Sequence, residues 1–295
     1  MSDAVSIHAD RPVEPRVWRG RPAVAKTYNR GGAEDAAHAM RELWSSPFGR
    51  SRLPPGLPEP LALVGRSVIM ERLEGTAVGR RGALGATEAL KVESARLLGD
   101  LHGCRVRIPR SRPGARVARS LERKRDSLSD QRIRQAFDST LALLDTEALS
   151  GELVVTHGDF SPRNVIATGG GLRLIDFDRL QMAPRARDVT YWGAWAWATM
   201  LLAGDAPSWR LGAAFELAYA AHTGVPTFAA AHRAAHRAAA LLRITHGWTA
   251  LRDRPDVAAI VVEEAGRQAA GSVPGRGTTT NGHLRDVAAS VHDSR

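Results

Sequence analysis

The residues best suited to chemistry lie between Val154 and Arg179, in the stretch VVTHGDFSPRNVIATGGGLRLIDFDR. Two apolar runs, LVV and LRLI, each lead into a polar cluster, and together they form the pattern H-x-D-x-x-x-x-N followed by D-x-D. Carboxylates gathered at the ends of buried strands add nothing to stability unless they are paired, so the pattern indicates a site for a positively charged ligand. Its side chains are His157, Asp159, Asn164, Asp176 and Asp178.

This pattern meets the needs of phosphoryl transfer from a nucleotide. That reaction requires a group that orients the attacking hydroxyl, ligands for a metal ion and a clamp on the phosphates. Asp159 can orient the hydroxyl, and the oxygen atoms of Asn164 and Asp176 suit Mg²⁺. The glycines of TGGGL fit a hairpin turn that would bring Asn164 and Asp176 close together. The joint spacing favours catalysis over the alternative that these are only turn residues.

The remaining polar residues of the stretch leave two interpretations open. Asp178 is either a carboxylate that supports the metal ligands or a solvated turn residue. Arg163 either contacts phosphate or lies at the surface. For His157 we favour a structural hydrogen-bonding role over general-base chemistry.

A lysine upstream could supply the clamp on the phosphates. Lys26 ends the apolar alternation AVAK, and the helical segment that follows carries Glu34, Asp35 and Glu42. One of these acids could hold the ammonium group toward the phosphates. Further on, VIMERLEG reads as a strand leading into a linker, where free backbone groups could pair with a nucleotide base.

Hydrophobic patterns predict the elements that must position these residues. Two extended segments between 13 and 28 surround the turn RGRP, AEDAAHAMRELW has helical spacing, and LALV and SVIMERL form a hairpin. The prolines between Pro47 and Pro60 predict a loop. Helical patterns run from Ala86 to Gly103, from about Val117 to Leu149 with a break near 127–130, and from Asp188 to about Gln268.

These elements predict an α+β fold with two lobes and a ligand cleft between them. We expect a small antiparallel-sheet lobe over residues 1–75 that binds the nucleotide. A larger, mainly helical lobe over 76–270 would carry catalysis and the acceptor site, and 271–295 would be a flexible tail.

The stretch HGDFSPRNVI…LIDFD, with VAK upstream and MERLEG between, resembles the aminoglycoside phosphotransferase and choline kinase-like superfamily. The resemblance runs in order from about Val17 to Trp192, and it implies the bilobal protein-kinase fold. It also implies that the protein binds a nucleotide, ATP or GTP, together with Mg²⁺. The chain departs from the protein-kinase pattern in one respect, because residues 1 to 25 contain no G-x-G-x-x-G loop.

The resemblance also implies a role for each matching residue. Asp159 would be the catalytic base or hydroxyl-orienting residue, and Asn164 and Asp176 would bind Mg²⁺. Lys26 would contact the α- and β-phosphates and pair with a helix glutamate, of which Glu34 is the first candidate. The remaining roles are backbone contacts to the base near Glu71 and Leu73, and support of the catalytic loop by His157 and Asp188.

Composition excludes several other classes of protein. The single cysteine, Cys104, rules out an intrachain disulfide framework and a cysteine-built zinc site. No apolar run is long enough to cross a bilayer and no signal sequence is visible, so we expect a cytoplasmic protein without a membrane partner. The net charge of +10 comes from arginines spread along the chain, which does not favour nucleic-acid binding.

The sequence therefore predicts a nucleotide-dependent phosphotransferase acting on a hydroxyl of a small molecule. An antibiotic is the first candidate for the acceptor, and a sugar, amino alcohol or nucleoside-like metabolite is the alternative. A polycationic acceptor would need clustered carboxylates, and the region after Asp188 has few, so a neutral or anionic acceptor carries comparable weight. An inactive kinase-like binding module is disfavoured, because Lys26, Asp159, Asn164 and Asp176 are all present.

Aromatic and histidine clusters in the C-terminal helices have simpler interpretations than ligand binding. The run YWGAWAW favours core packing of a helix over stacking on a substrate. The histidines at 232, 236 and 246 lack the acid of an H-E-x-x-H pattern, so we expect helix surface or cleft lining.

Overall fold

The N-terminal lobe is a four-stranded antiparallel sheet with strand order β1-β2-β4-β3. In this computed structural model, residues 11–81, 88–106, 108, 121–122, 125, 131–147, 152–248, 251 and 253–271 are described. The strands are β1 (Val13–Trp18), β2 (Arg21–Thr27), β3 (Pro60–Val64) and β4 (Ser67–Glu71). Helix α1 (Ala33–Ser45) packs on β3 and β4 through its buried alanines, Met40 and Leu43.

Tight turns set the register of both hairpins in this sheet. Trp18 pairs with Arg21 across the two-residue turn Arg19-Gly20, where both residues have positive φ (49° and 79°). That geometry matches the right-handed twist of the flanking strands. The strand pairing places the backbone of Lys26 opposite Val68 on the central strand β4.

The chain crosses to the second lobe directly after β4. Strand β5 (Thr76–Ala77) already pairs with β7 (Val165–Thr168), and β7 pairs with β8 (Gly171–Leu174) across the predicted glycine turn. A second small sheet joins β6 (Leu153–Thr156) to β9 (Gln181–Pro184). The ends of these short strands hold the residues of the HGD and D-x-D motifs.

Six described helices build the rest of this lobe. The helices are α2 (Glu88–His102), α3 (Gln131–Glu147), α4 (Ala186–Leu202), α5 (Arg210–Thr223), α6 (Ala230–Gly247) and α7 (Pro255–Gly271). Helix α4 packs against α5 and α6, α2 against α5, and α7 against α3 and α6. The apolar faces form two buried clusters, one that joins α1 to α2 and the motif strands and one among α3, α4, α6 and α7.

The predicted bilobal α+β fold is confirmed, with its small antiparallel sheet and larger helical lobe. The helical prediction from Val117 falls partly outside the described residues, as does the predicted tail from 272 onward. Core packing of the YWGAWAW run is also confirmed, since Trp192, Trp195 and Trp197 are all buried. In the described part of the chain, no helix is both long and apolar enough to span a bilayer.

Candidate active site

The loop between β6 and β7 carries the HGD motif, and His157 fixes its start. The Nε2–H of His157 donates to the carbonyl of Ile175 (2.9 Å), and its Nδ1 accepts from the N–H of Asp159 (3.2 Å). The ring, which is fully buried, therefore joins the residue before Asp176 to the backbone of Asp159. One imidazole thus ties the two motif loops to each other.

Asp188, at the start of α4, fixes the same loop from the other side. Its Oδ2 accepts the N–H of His157 (2.6 Å) and its Oδ1 accepts the N–H of Gly158 (2.9 Å). Burial raises the pKa of Asp188, but the hydrogen bond and charge of the neighbouring His102 outweigh that effect and hold the pKa below its usual value. Asp188 is therefore a buried carboxylate that shapes the loop.

Gly158 occupies a position that only glycine fits. Its φ is 79°, and a β-carbon there would lie 2.4 Å from the carbonyl oxygen of Arg179. Its own carbonyl accepts from Nη2 of Arg243 and, at 3.5 Å, from Nη2 of Arg187. Both of these arginines are buried, so two guanidinium groups hold the peptide immediately before Asp159.

Asp159 faces positive charge and a phenol. Burial raises the pKa of Asp159. The charges of Arg179 and Arg243 lower it, as does the hydroxyl of Tyr191, which donates to the carboxylate, and together they outweigh burial. The balance leaves the pKa of Asp159 below its usual value, so the carboxylate is ionised at neutral pH. It is ready to accept a hydrogen bond from a substrate hydroxyl.

Asn164 and Asp176 lie at adjoining ends of β7 and β8. Val165 pairs with Leu174, and the N–H of Ile175 donates to the carbonyl of Asn164 (2.9 Å), so the glycine hairpin brings the two residues together. Asp176 has φ 68° and ψ 63°, a left-handed backbone that Asp tolerates better than most residues. Strain at such a position is typical of functional sites.

The predicted pairing of Lys26 with Glu34 is not what the structure shows. The ammonium of Lys26 lies 2.6 Å from Asp176 Oδ1 and 2.6 Å from Asp178 Oδ2, while Glu34 is exposed on the first turn of α1. Burial lowers the pKa of Lys26, and the two aspartates more than reverse that shift. A buried ammonium bonds the nearest carboxylates, and the D-x-D motif supplies two of them within reach.

Asp178, whose role the sequence left open, joins the two lobes. Besides Lys26 it accepts from the hydroxyl of Tyr28 (2.6 Å) and from Nη1 of Arg11 (2.7 Å), and only 8% of its side chain is exposed. It is not a solvated turn residue. Three donors from the N-terminal lobe converge on one carboxylate of the other lobe.

Glu71 and Leu73 line the cleft at the linker, as their predicted position requires. The N–H of Glu71 is already bonded to the carbonyl of Glu59 (2.9 Å), whereas the N–H of Leu73 has no backbone partner among the described residues. The side chain of Glu71 binds both Nη atoms of Arg173, at 2.8 and 2.7 Å. Arg173, from β8, is 7% exposed and fastens the linker to the catalytic hairpin.

A cavity of about 590 Å³ lies between the lobes. Its lining includes Lys26, Asp159, Asn164 and Asp176 together with apolar residues of β1, β2 and β4. At the other end it is closed by side chains from α4 and α6 and by Trp248. The volume is within the range of small-ligand sites.

The donor set fits a nucleotide-bound magnesium ion. Nδ2 of Asn164 donates to the carbonyl of Asp159 (2.9 Å), which leaves its Oδ1 without a partner in the described part of the chain. Asp176 engages Lys26 through Oδ1 and keeps its second oxygen. No cluster of three or more His, Cys, Asp or Glu side chains forms a metal site among the described residues. Two oxygen ligands completed by phosphate are the usual arrangement for Mg²⁺.

Sequence reasoning missed several residues of the site. Arg173, Arg187 and Arg243 are buried arginines, and each stands where the strand or helix pattern calls for an apolar side chain. Arg243, on α6, is three residues after Ala240 and seven after His236, all on the buried face. A lone arginine on an apolar helix face is the signal that could have identified it.

Comparisons with known proteins agree with this fold. The model of the phosphotransferase enzyme family matches residues 13–233. No curated protein sequence matches the chain significantly. The choline kinase LicA from Streptococcus pneumoniae is similar in structure, with 12% identity, a TM-score of 0.65 and coverage of 90% of this chain and 91% of that one.

Two further solved structures have similar folds. An aminoglycoside phosphotransferase from Alicyclobacillus acidocaldarius is 16% identical over 98% of this chain and 93% of its own, with a TM-score of 0.54. An aminoglycoside-3'-phosphotransferase of type VIII is 20% identical over 80% of this chain and 90% of its own, with a TM-score of 0.57. At these identities the likeness shows the kinase-like fold alone.

Proposed function

Because the chain belongs to the phosphotransferase enzyme family, we propose that it transfers the terminal phosphoryl group of ATP or GTP to a hydroxyl of a small molecule. The observation that carries this proposal is the meeting of Lys26 with Asp176 across the cleft, beside Asn164 and Asp159. A phosphate clamp, two metal ligands and a hydroxyl-orienting carboxylate thus border one cavity.

Each residue has a part in the proposed reaction. The ionised Asp159 accepts the hydrogen bond of the acceptor hydroxyl and aims its oxygen at the terminal phosphate. Lys26 exchanges a carboxylate for the phosphate oxygens when the nucleotide binds. Asn164 and Asp176 would hold Mg²⁺, which when bound offsets negative charge on the phosphates. The N–H of Leu73, at the linker, is the donor we assign to the nucleotide base.

The acceptor we propose is an antibiotic or, as the second candidate, a sugar, amino alcohol or nucleoside-like metabolite. The solved structures of similar fold include enzymes named for aminoglycosides and for choline, so the fold accommodates both kinds of acceptor. The charge of the acceptor is a separate question, which depends on the residues beyond Asp159.

The metal-dependent step can be tested by replacing Asp176 with Ala. Calorimetric titration should show that Mg²⁺ tightens ATP binding to the wild type. In the variant, the factor by which Mg²⁺ tightens binding should be smaller by about tenfold or more, and each factor of ten corresponds to about 1.4 kcal/mol. Titration without metal gives the baseline for each protein, and Asp205→Ala, an exposed site outside the cavity lining, is the control. If the wild type binds neither ATP nor GTP in the presence of Mg²⁺, the proposed function is wrong.

A further inference from the structure

The part of the cavity around Asp159 has a distinct chemistry. We call it the acceptor end and define it by the lining residues Arg179, Tyr191, Trp195, Arg243 and Trp248. These residues come from the segment after D-x-D and from the region of α4 and α6. They surround the carboxylate of Asp159, so a hydroxyl bonded to Asp159 carries the rest of its molecule into this end.

Positive charge is in excess around Asp159. Arg179 is exposed to the cavity, Arg243 is buried beside it, and both act on the carboxylate of Asp159. Behind them lies Arg187, whose pKa is lowered to about 9 by burial and by the charge of Arg243. The charge of Asp188 also acts on Arg187, but this carboxylate already accepts two backbone N–H groups. Asp176 and Asp178 also act on Arg179, but both already bond Lys26. The arginines around Asp159 therefore share carboxylates that have other partners.

Arg187 also lacks hydrogen-bond partners for part of its guanidinium group. Its Nε and Nη1 are buried and unpaired among the described residues, although buried donors are almost always satisfied. A buried cation that is not fully paired lowers stability, and an anion placed nearby would offset that cost. The protein thus keeps an incompletely paired cation behind the acceptor end.

The carboxylates of the C-terminal helices are engaged elsewhere. Glu216 is buried and binds Arg233 at 2.7 and 2.9 Å. Glu264 is also buried and accepts from Nε1 of Trp209 (2.7 Å). Neither lines the cavity, and of the described lining residues at the acceptor end only Asp159 is acidic. A polycation would find repulsion here instead of the ion pairs that it needs.

An aromatic surface completes the acceptor end. Trp248 is half-buried and stacks on Trp195, with ring centroids 5.6 Å apart and an interplanar angle of 20°. The guanidinium of Arg243 lies 4.7 Å from the ring centroid of Tyr191, which holds it in place without neutralising it. A flat ring can pack against Trp248 while its polar substituents reach the arginines.

We infer that the acceptor is an anion: a hydroxyl compound whose carboxylate, phosphate or sulfate group binds Arg179 and Arg243 and whose ring packs on Trp248. This inference rests on the proposed function, because it identifies the acceptor end by the residues around Asp159, which we propose orients the acceptor hydroxyl. It excludes the polycationic acceptors and favours acidic sugars, acidic antibiotics and ring-bearing hydroxy acids.

Matched probes that differ only in charge test this inference. One series, varied only at C6, is D-glucuronate, D-glucuronamide and 6-amino-6-deoxy-D-glucose; the other is 4-(hydroxymethyl)benzoate, its amide and 4-(hydroxymethyl)benzylamine. Binding to the protein saturated with Mg²⁺ and a non-hydrolysable ATP analogue is followed by tryptophan fluorescence. We expect the anion of at least one series to bind at least about tenfold more tightly than its neutral and cationic partners. That preference should weaken with added salt.

Variants assign the preference to the arginines. Arg179→Met removes an exposed charge without opening the core and should abolish the preference, whereas Arg96→Met, an exposed arginine on α2 outside the cavity lining, should retain it. If neither series shows a preference for the anion, or if Arg179→Met keeps it, the inference is wrong. If the substitution Arg179→Met weakens only nucleotide binding, this arginine binds the phosphates of the nucleotide, and the inference is also wrong. Failure of nucleotide binding in the wild type would instead contradict the proposed function.

Discussion

The two ends of the cavity differ in how their charges are balanced. At the nucleotide end each acid has a cation within the protein: Asp176 and Asp178 share Lys26, and Glu71 binds Arg173. At the acceptor end Arg179 and Arg243 face Asp159, and the other carboxylates that act on Arg179, Asp176 and Asp178, already bond Lys26.

This difference separates what each end requires of its ligand. The nucleotide end is neutralised before any ligand binds, so it suits a ligand that arrives with its own cation, as a magnesium-bound nucleotide does. The acceptor end has an excess of positive charge that only the ligand can balance. A potential of this sign inside a low-dielectric cleft selects ligands more strongly than the net charge of the whole chain does.

The largest effect should come from the residue where the two ends meet. Asp159→Asn keeps a side chain of the same size but removes the charge that orients the acceptor hydroxyl, so kcat should fall by about 10²–10⁴-fold. The affinity for the Mg²⁺-bound nucleotide should change little, since the phosphate clamp and metal ligands remain. Steady-state turnover and nucleotide titration measure the two quantities. Equal losses in kcat and in nucleotide affinity would show that Asp159 also supports nucleotide binding, so that the two ends do not act independently.

A smaller effect, on stability, should come from Asp188, the buried carboxylate that holds the catalytic loop. Asp188→Asn leaves two loop N–H groups without a charged acceptor and should lower the free energy of unfolding at pH 7 by about 3 kcal/mol. Because folding lowers the pKa of Asp188, its contribution is present above the unfolded value near 4 and is lost as pH falls toward the folded value. The difference in the free energy of unfolding between wild type and variant should therefore become smaller below about pH 4.

Urea unfolding at several pH values measures this gap. The control is Asp256→Asn, because the pKa of Asp256 is also lowered, by its hydrogen bond to Arg254, but the pair is exposed. Exposed pairs contribute little to stability, so this variant should follow the wild type at every pH. A constant gap for Asp188→Asn would show that its charge is not what holds the loop.

The smallest effect should come from Glu34, the predicted partner of Lys26, which the structure replaces with Asp176 and Asp178. Glu34→Gln should leave nucleotide affinity within about twofold of the wild type, because Glu34 is exposed and does not touch the lysine. Lys26→Met should weaken nucleotide binding by about tenfold or more, through loss of a charged contact to phosphate. Calorimetry on both variants tests this. A comparable loss in Glu34→Gln would mean that the nucleotide-bound protein restores the Lys26–Glu34 pair.

The fold and the motif residues could be predicted because their signals are local. Period-two and helical patterns identified the hairpins and α1, and the TGGGL turn predicted that Asn164 and Asp176 would meet. The partner of Lys26 could not be read in this way, because it depends on how closely the lobes approach. Arg243 reaches Asp159 from α6, more than eighty residues later in the chain, and no local pattern records such a contact.

The support that Asp188 gives to the catalytic loop also has a consequence for the order of folding. The two N–H groups that it accepts, from His157 and Gly158, lie 31 and 30 residues earlier in the chain. During synthesis this loop leaves the ribosome before the start of α4 does, so its native shape waits for that helix. A nascent chain that ends before Asp188 would therefore carry the whole HGD motif without the conformation that makes it a site.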